Sequence, residues 1–382
     1  MKKKNEEEKD TALAVGLMSG TSADGLTAAL CEISGHRIKT LAFRNYDYSP
    51  KLRERIIGAR DMKARELSAL NFELGRLWAG MTISFFDETG IKPEQVECIA
   101  SHGQTVWHQP AGPECNTMQI GEASFIAEAA GIPVVCDFRP MDMAAGGEGA
   151  PLVPFLDEFL YGDSPVPVAL QNIGGIGNIS FAGRGIKTFG FDTGPGNSLM
   201  DTAVSMFTSG RQGYDAGGAI AGRGHADEEK VKSFLEAEYF KRIPPKSLER
   251  SVFSQDFIKN NFPALSESNI ADVVATLNLF TAASIALAFR RFAPAGTDRI
   301  IVAGGGALNP VLMRNIAALL SESGVKTLSS AEEGMHPLAK EAACFALMGL
   351  RALRGETNHC PAATGAGRMR ILGKIIPAQK IK

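Results

Sequence analysis

Residues 16–26 read GLMSGTSADGL, a glycine-rich turn in which Ser19, Thr21, Ser22 and Asp24 stand between two apolar runs. The runs decide what kind of turn it is. Thr11 to Met18 is strand-like, Leu26 to Ile33 is again apolar and too short for an average helix, and Arg37 to Tyr48 reads as a further strand. The pattern predicts a β-meander with the glycine turn as its first hairpin. A P-loop would need G-x-x-x-x-G-K-[ST] opening a helix, and that is absent. Two readings of the turn remain open. Gly20 and Gly25 let backbone N–H groups approach phosphate oxygens, with hydroxyls beside them. Alternatively, Asp24-Gly25 is a hairpin corner that needs no ligand.

Working outward, the motif recurs. PVALQNIGGIGNISFAG (167–183) is again strand, glycine-rich turn and strand, with little identity to the first but the same local plan. A chain of 382 residues is too long for one ordinary core. We therefore expect an α/β protein made of two duplicated lobes, each opening on a hairpin. Ser49-Pro50 signals a helix start, Lys63 to Thr89 has helical spacing ended by Gly90, and VECIAS (96–101) and IPVVCDF (132–138) read as strands. DVVATLNLFTAASIALAFRRF (272–292) is a strongly periodic helix. RIIVAGGGALNPVLMRNIAALL (299–320) is a strand, three glycines, then Asn309-Pro310 opening a helix. KEAACFALMGLRAL (340–353) is read as the last helix, before a basic tail with a short strand or surface segment. The expected domains are a disordered tail at 1–10, an N-terminal lobe from 11–150 plus 350–382, and a C-terminal lobe from 151–349.

Composition narrows the function classes. Forty basic residues against 42 acidic ones leave a formal charge of -2, which speaks against nucleic acid or membrane partners. The six cysteines, at 31, 98, 115, 136, 344 and 360, show no C-x-x-C spacing, as in a reducing compartment. MKKKNEEEKD lacks the apolar stretch of a signal peptide, and no run approaches ~18 uninterrupted apolar residues. The expectation is a cytoplasmic protein.

Four stretches carry chemistry. In the opening turn Asp24 would repel phosphate unless a cation lies between them, which suggests Mg²⁺ carried on a nucleotide. NIGGIGN (172–178) and AGGGALNP (303–310) supply Asn172, Gly174, Gly175, Gly304, Gly305, Gly306 and Asn309; three such turns describe a nucleotide clamp better than three unrelated corners. FDTGPGNSLMD (191–201) sets Asp192 at a strand end before a rigid turn, able to take a proton from water or a hydroxyl. Asp201, nine residues on, is expected to be a helix-surface charge. SHGQTVWHQP (101–110), read as a polar loop after a strand, offers His102, Gln104 and Thr105 for polar recognition and Trp107 for stacking on a sugar. CDFRP (136–140) places Asp137 and Arg139 at another strand end. Arg139 could clamp a carboxylate or form an internal ion pair with Asp137 or Asp142.

MSGTSADG, SHGQTVWH, IGE, DFRPMD with AAGGEGAPLVP, NIGGIGNIS, FDTGPGN, PPKS, VAGGGALNP and KEA, in this order from about Val15 to Gly373, resemble the anhydro-N-acetylmuramic acid kinase family. That family lies within the actin, hexokinase and Hsp70 superfamily of ribonuclease H-like lobes with ATP in an interlobe cleft. The resemblance implies ATP-dependent conversion of 1,6-anhydro-N-acetylmuramic acid to N-acetylmuramic acid 6-phosphate, with water opening the anhydro bridge and O6 taking the γ-phosphoryl group. It implies that Asp192 is the base for that water and that Gly20, Thr21, Ser22, Ala23, Asp24, Gly25, Leu26 and Thr27 form the ATP phosphate loop. It also implies Arg139 at the lactyl carboxylate, Glu341 near the sugar, lobe closure during turnover, and a homodimer. Three positions depart from the family pattern: Thr27 replaces a usual aspartate, Leu248-Glu249 replaces Thr-Gly after PPKS, and Leu338 replaces a common acidic residue. The rival readings are a plain sugar or carboxylate kinase of the same superfamily, and an ATP-gated binding protein. The dense polar sets at 102–109 and 137–142 speak against the latter.

Overall fold

The computed structural model describes residues 11–378 except 21, 111, 245, 247 and 249. The tail at 1–10, Thr21 and Glu249 therefore lie outside the described residues. The chain forms two compact units: one runs to Leu160 and resumes at Gly334, and the other is Tyr161–Glu333.

In the first unit β1 (Ala12–Ser19), β2 (Gly25–Ser34) and β3 (Arg37–Asp47) are the expected meander, with Met18 opposite Thr27 and Gly25 opposite Asp47. β4 (Val96–Gln109) pairs parallel with β1, β5 (Asn116–Ile120) pairs with the distal half of β4, and β6 (Val134–Cys136) lies parallel on β4's other side. The SHGQTVWHQ stretch is thus the continuation of a strand rather than a loop. Its polar side chains suit a strand because β5 pairs with its backbone.

Two apolar faces cover this sheet. Ala64–Thr89, stopped by a left-handed Gly90, packs Leu70, Leu74 and Trp78 against Val15, Leu17 and Ile99. Lys340–Leu353 packs Ala342, Ala346 and Phe345 against Ala14, Ala29 and Ala100. Its small residues are required: a Cβ on Gly16 would lie 1.7 Å from the Ala342 carbonyl oxygen, and one on Gly349 would lie 2.5 Å from Ala100 Cβ. This close seat assigns 334–349 to the first unit, where the sequence reading had placed the boundary at 350; 151–160 likewise belongs to the first unit. Lys340–Leu353 is not the last helix, since the short turn Pro361–Thr364 follows.

The second unit repeats the plan. β7 (Val168–Ile173), β8 (Ile176–Ala182) and β9 (Phe189–Pro195) form an antiparallel meander. β10 (Arg299–Ala303) and β11 (Lys326–Ser329) extend it in parallel from β7. Its order, β11-β10-β7-β8-β9, matches β6-β4-β1-β2-β3 of the first unit, which β12 (Lys374–Ile376) closes at one edge. Both are the 3-2-1-4-5 arrangement of a ribonuclease H-like lobe, so the expected duplication is one of topology. Ile270–Phe292 is long and apolar enough to cross a membrane, yet it is the core helix here, with Leu277, Phe280 and Ile285 essentially solvent-free.

Candidate active site

In the first unit a directional chain of hydrogen bonds fixes the glycine turn. Trp78 Nε1 donates to Tyr48 Oη at 2.8 Å, and Tyr48 Oη meets Ser19 Oγ at 3.0 Å. Ser19 Oγ donates to Gln104 Oε1 at 2.6 Å, and Gln104 Nε2 donates to the Gly20 carbonyl at 3.1 Å. Burial pushes the Tyr48 hydroxyl pKa up to about 12, so the phenol stays protonated within the chain. Gln104 and Ser19 are buried, so they are struts of the turn rather than substrate contacts. Sequence reasoning missed this chain because its members lie up to 85 residues apart.

The turn proper is short. Ala23 N–H donates to the Gly20 carbonyl at 3.0 Å, and Ala23 itself is buried with φ of 52°. Gly20 borders open space, with Ser22 Oγ the nearest group to a virtual Cβ at 3.9 Å. Gly25 is glycine for another reason: a Cβ there would lie 2.4 Å from the Tyr46 carbonyl across the β2–β3 pair. Leu26 faces the core, and Thr27 Oγ1 donates to Asn45 Oδ1 at 3.0 Å, so both belong to β2. Asp24 is exposed and paired with Arg53 at 2.9 Å, while Arg53 Nε also donates to the Ser22 carbonyl at 3.1 Å.

His102 is buried, with Nδ1 2.8 Å from the Gly103 carbonyl and its ring tilted on Phe345. Its Nε2 accepts from Arg139 Nε at 3.1 Å and lies 2.9 Å from Arg139 Nη2. Burial and the adjacent guanidinium bring its pKa down to about 3, so it is a neutral acceptor that aims Arg139. Arg139 Nη1 donates to the Gly149 carbonyl at 2.8 Å. Neither ion pair considered for Arg139 forms. Asp137 pairs with Lys374 at 2.8 Å, and buried Asp142 accepts from His359 at 2.8 Å, Thr364 at 2.7 Å and Gly149 N–H at 2.8 Å. Glu341 starts the Lys340–Leu353 helix, open to solvent on one side; the surrounding protein raises its carboxyl pKa, and Lys340 and Arg139 oppose the rise. Thr105 Oγ1 accepts from Gln119 at 3.3 Å, and Trp107 is exposed. A cavity of about 310 Å³ in this unit is bounded by Ser101, His102, Gln119, Glu122, Asp137 and Lys374. It unites two expected residues with others the spacing did not reveal, and the Ser101 hydroxyl has no partner among the described residues.

In the second unit the two glycine turns and the FDTGPGN segment meet. Gly196 N–H and Asn197 N–H donate to the Gly175 and Gly174 carbonyls at 2.9 and 2.8 Å. A Cβ on Gly196 would lie 2.2 Å from the Gly174 carbonyl oxygen. Virtual Cβ atoms on Gly304 and Gly306 would lie 2.5 and 2.3 Å from Ile173 atoms, so the triple glycine rests on the β7–β8 turn, with Asn172 Oδ1 also near Gly304. Gly305 begins the single turn Gly305–Leu308. Gly175 has open space above it. Asn309 caps the helix Pro310–Ser321, its Oδ1 accepting from Val311 and Leu312 N–H at 3.0 and 3.1 Å. It shapes the loop rather than offering that oxygen to a ligand.

Asp192 lies within β9, opposite Asn178, rather than at the strand end. Its Oδ2 accepts from Leu248 N–H at 2.8 Å, its N–H donates to the Lys246 carbonyl at 3.3 Å, and its carbonyl accepts from Tyr239 Oη. Oδ1 has no partner among the described residues. Burial raises the carboxyl pKa and the Leu248 N–H partly offsets this, which suits a proton acceptor. Asp201 is not a plain surface charge: burial and neighbouring Asp215 push its carboxyl up to about 7. Among the described residues no group of three His, Cys, Asp or Glu side chains could hold a metal ion.

Two glycine-turned lobes of one ribonuclease H-like topology are the architecture of the duplicated actin and hexokinase kind. The chain belongs to the anhydro-N-acetylmuramic acid kinase family, whose profile matches residues 12–378. It is 37% identical to the anhydro-N-acetylmuramic acid kinase of Caldanaerobacter subterraneus subsp. tengcongensis over 96% of this chain and 97% of that protein. It is 38% identical to that of Gloeobacter violaceus over 97% and 100%, and 40% identical to that of Xanthomonas campestris pv. campestris over 96% and 97%. Among solved structures, an activator of 2-hydroxyisocaproyl-CoA dehydratase from Clostridium difficile aligns with a TM-score of 0.45 at 11% identity, covering 90% of this chain and 96% of that one. A ROK family glucokinase from Streptomyces griseus aligns with a TM-score of 0.37 at 14% identity, covering 89% and 100%.

Proposed function

We propose that this protein is an ATP-dependent kinase that opens 1,6-anhydro-N-acetylmuramic acid with water and phosphorylates O6, giving N-acetylmuramic acid 6-phosphate for cell-wall sugar recycling. The observation that carries the mechanism is the asymmetric Asp192 carboxylate, with Oδ2 fixed by Leu248 N–H and Oδ1 without a partner among the described residues. Asp192 takes a proton from water as the water oxygen bonds to C1. The C1–O6 bond breaks, O6 bonds to the γ-phosphorus, and the β–γ bridging oxygen leaves with ADP. The Gly20–Asp24 turn and the open backbone at Gly175 are suited to phosphate groups. Mg²⁺ belongs in this reading to the ATP it accompanies, since it prefers phosphate oxygens and water with one or two carboxylates; Asp24 is the acidic group that would meet it, through the bound nucleotide.

Arg139, aimed by His102, is the candidate for the lactyl carboxylate, and the cavity bounded by His102 and Asp137 for the sugar. Six free cysteines accord with a reducing, cytoplasmic setting, and a homodimer is inferred from the family likeness alone. Incubation with MgATP and the anhydro sugar in ¹⁸O-water tests the reading. Label at the anomeric hydroxyl of a 6-phosphorylated product is expected. Phosphorylated sugar without label would establish a plain kinase, and ATP binding without product a gated binder.

A further inference from the structure

The PPKS motif contains a lysine whose surroundings are unusual. Lys246 is only 7% exposed, and its Nζ stands 4.6 Å from the Tyr239 ring centroid, 5.4 Å from Phe191 and 5.6 Å from Phe292. Its one hydrogen-bond acceptor among the described residues is the Tyr239 carbonyl at 3.4 Å. No carboxylate pairs with it there, and Arg242 and Arg291 add positive charge nearby. A leucine or methionine would fill such a space with no desolvated charge to stabilise. The ammonium therefore needs a reason, and the geometry offers one. The three rings favour a cation electrostatically, so the charge fixes where this stretch of backbone docks. That backbone supplies the Lys246 carbonyl to Asp192 N–H and, two residues on, the Leu248 N–H to Asp192 Oδ2. Phe191 and Tyr239 join the two halves: Phe191 precedes Asp192 in β9, and Tyr239 bonds its carbonyl.

We propose that Lys246 is a positioning residue for the reaction: its ammonium, lodged among Phe191, Tyr239 and Phe292, pins the backbone groups of Lys246 and Leu248 that orient the Asp192 carboxylate. The inference rests on Asp192 being the base. Leu248 replaces a family threonine, but the group that acts is its backbone N–H, so that departure leaves the latch intact. Burial, Arg291 and Arg242 bring the Lys246 pKa down to about 8. Asp192 and the Tyr239 phenol are the other titratable groups packed here; the phenol is raised above its ordinary range. Loss of the Lys246 proton should therefore loosen the latch within reach of an activity profile.

The test compares full-length Lys246→Met and Lys246→Arg with the unaltered protein and with Asp192→Asn. Lys246→Met should lower kcat by about 10- to 100-fold, the scale of a misplaced catalytic group. KM for ATP and for the anhydro sugar should stay within about twofold. Lys246→Arg should restore kcat to within about threefold and move the alkaline limb from about pH 8 beyond about pH 9, because a guanidinium does not titrate there. A kcat within twofold for Lys246→Met, or an arginine variant whose alkaline limb has not moved, overturns the proposal. If Lys246→Met does not fold, the limb in Lys246→Arg decides alone. An inactive Asp192→Asn beside a wild-type-like Lys246→Met removes only the latch, whereas an active Asp192→Asn removes the base reading beneath it.

Discussion

Ser19 Oγ donates to Gln104 Oε1 at 2.6 Å, and the other end of the same amide donates to the Gly20 carbonyl at 3.1 Å. One buried side chain thus ties β4 to the entrance of the glycine turn. Gln104→Leu removes both bonds and leaves the Ser19 hydroxyl without that acceptor, which should cost about 1–3 kcal/mol of stability. The turn should also lose order, so ATP affinity should fall while sugar affinity changes little. Thermal unfolding and isothermal titration with each ligand would measure this; equal losses for both ligands would contradict the role given to Gln104.

Asp192→Asn should abolish turnover, by at least ~10²-fold, with ATP binding near normal. A variant keeping more than about a tenth of the rate would rule out Asp192 as the base. Because burial raises this carboxyl's pKa, and the base must be ionised, kcat/KM should fall with acidity at a pH above the ordinary aspartate range. An acid limb at or below that range would count against the assignment.

Asp201 allows a thermodynamic check of its environment. Its folded pKa of about 7 exceeds the unfolded one, so the protonated form favours folding, and this contribution is lost as pH rises through about 7. Asp201→Asn removes the penalty of ionisation. The melting temperature of the variant relative to the parent should therefore climb between pH 4 and pH 8. A difference that is flat across that range would show that the carboxyl is not strained.

Gly175 and Gly16 separate ligand space from packing space. Nothing lies within 4 Å of a virtual Cβ at Gly175, so Gly175→Ala should leave stability within about 0.5 kcal/mol while raising KM for ATP. The Cβ of Gly16→Ala would press into the Ala342 carbonyl, with a loss of ~3 kcal/mol or more and no ligand preference. Unchanged ATP kinetics in Gly175→Ala would remove the second turn from the phosphate site.

Much of the architecture was legible in advance. Apolar runs broken by GTSADG, NIGGIGN and AGGG located the first meander, the second hairpin and the β10 turn, because apolar runs and glycine corners are local properties. The N-cap at Ser49, the stop at Gly90 and the helix at 340–353 followed from equally local rules. The site was legible only as residue types. Asp192 was singled out from its motif and remains the proposed base, while Asn309 caps a helix, Leu26 lies in the core and Gln104 braces the first turn.

The residues by themselves determined the repeated hairpin plan, the helices and the chemical groups present, since each depends on neighbours a few positions away. Tertiary structure alone decided their roles. It set Lys246 and Leu248 against Asp192, aimed Arg139 through His102, and carried 340–349 onto β1 rather than the second unit. Such pairings bring together groups tens to hundreds of positions apart, and their energies come from burial, close approach and desolvated charge, which exist only after the chain has folded.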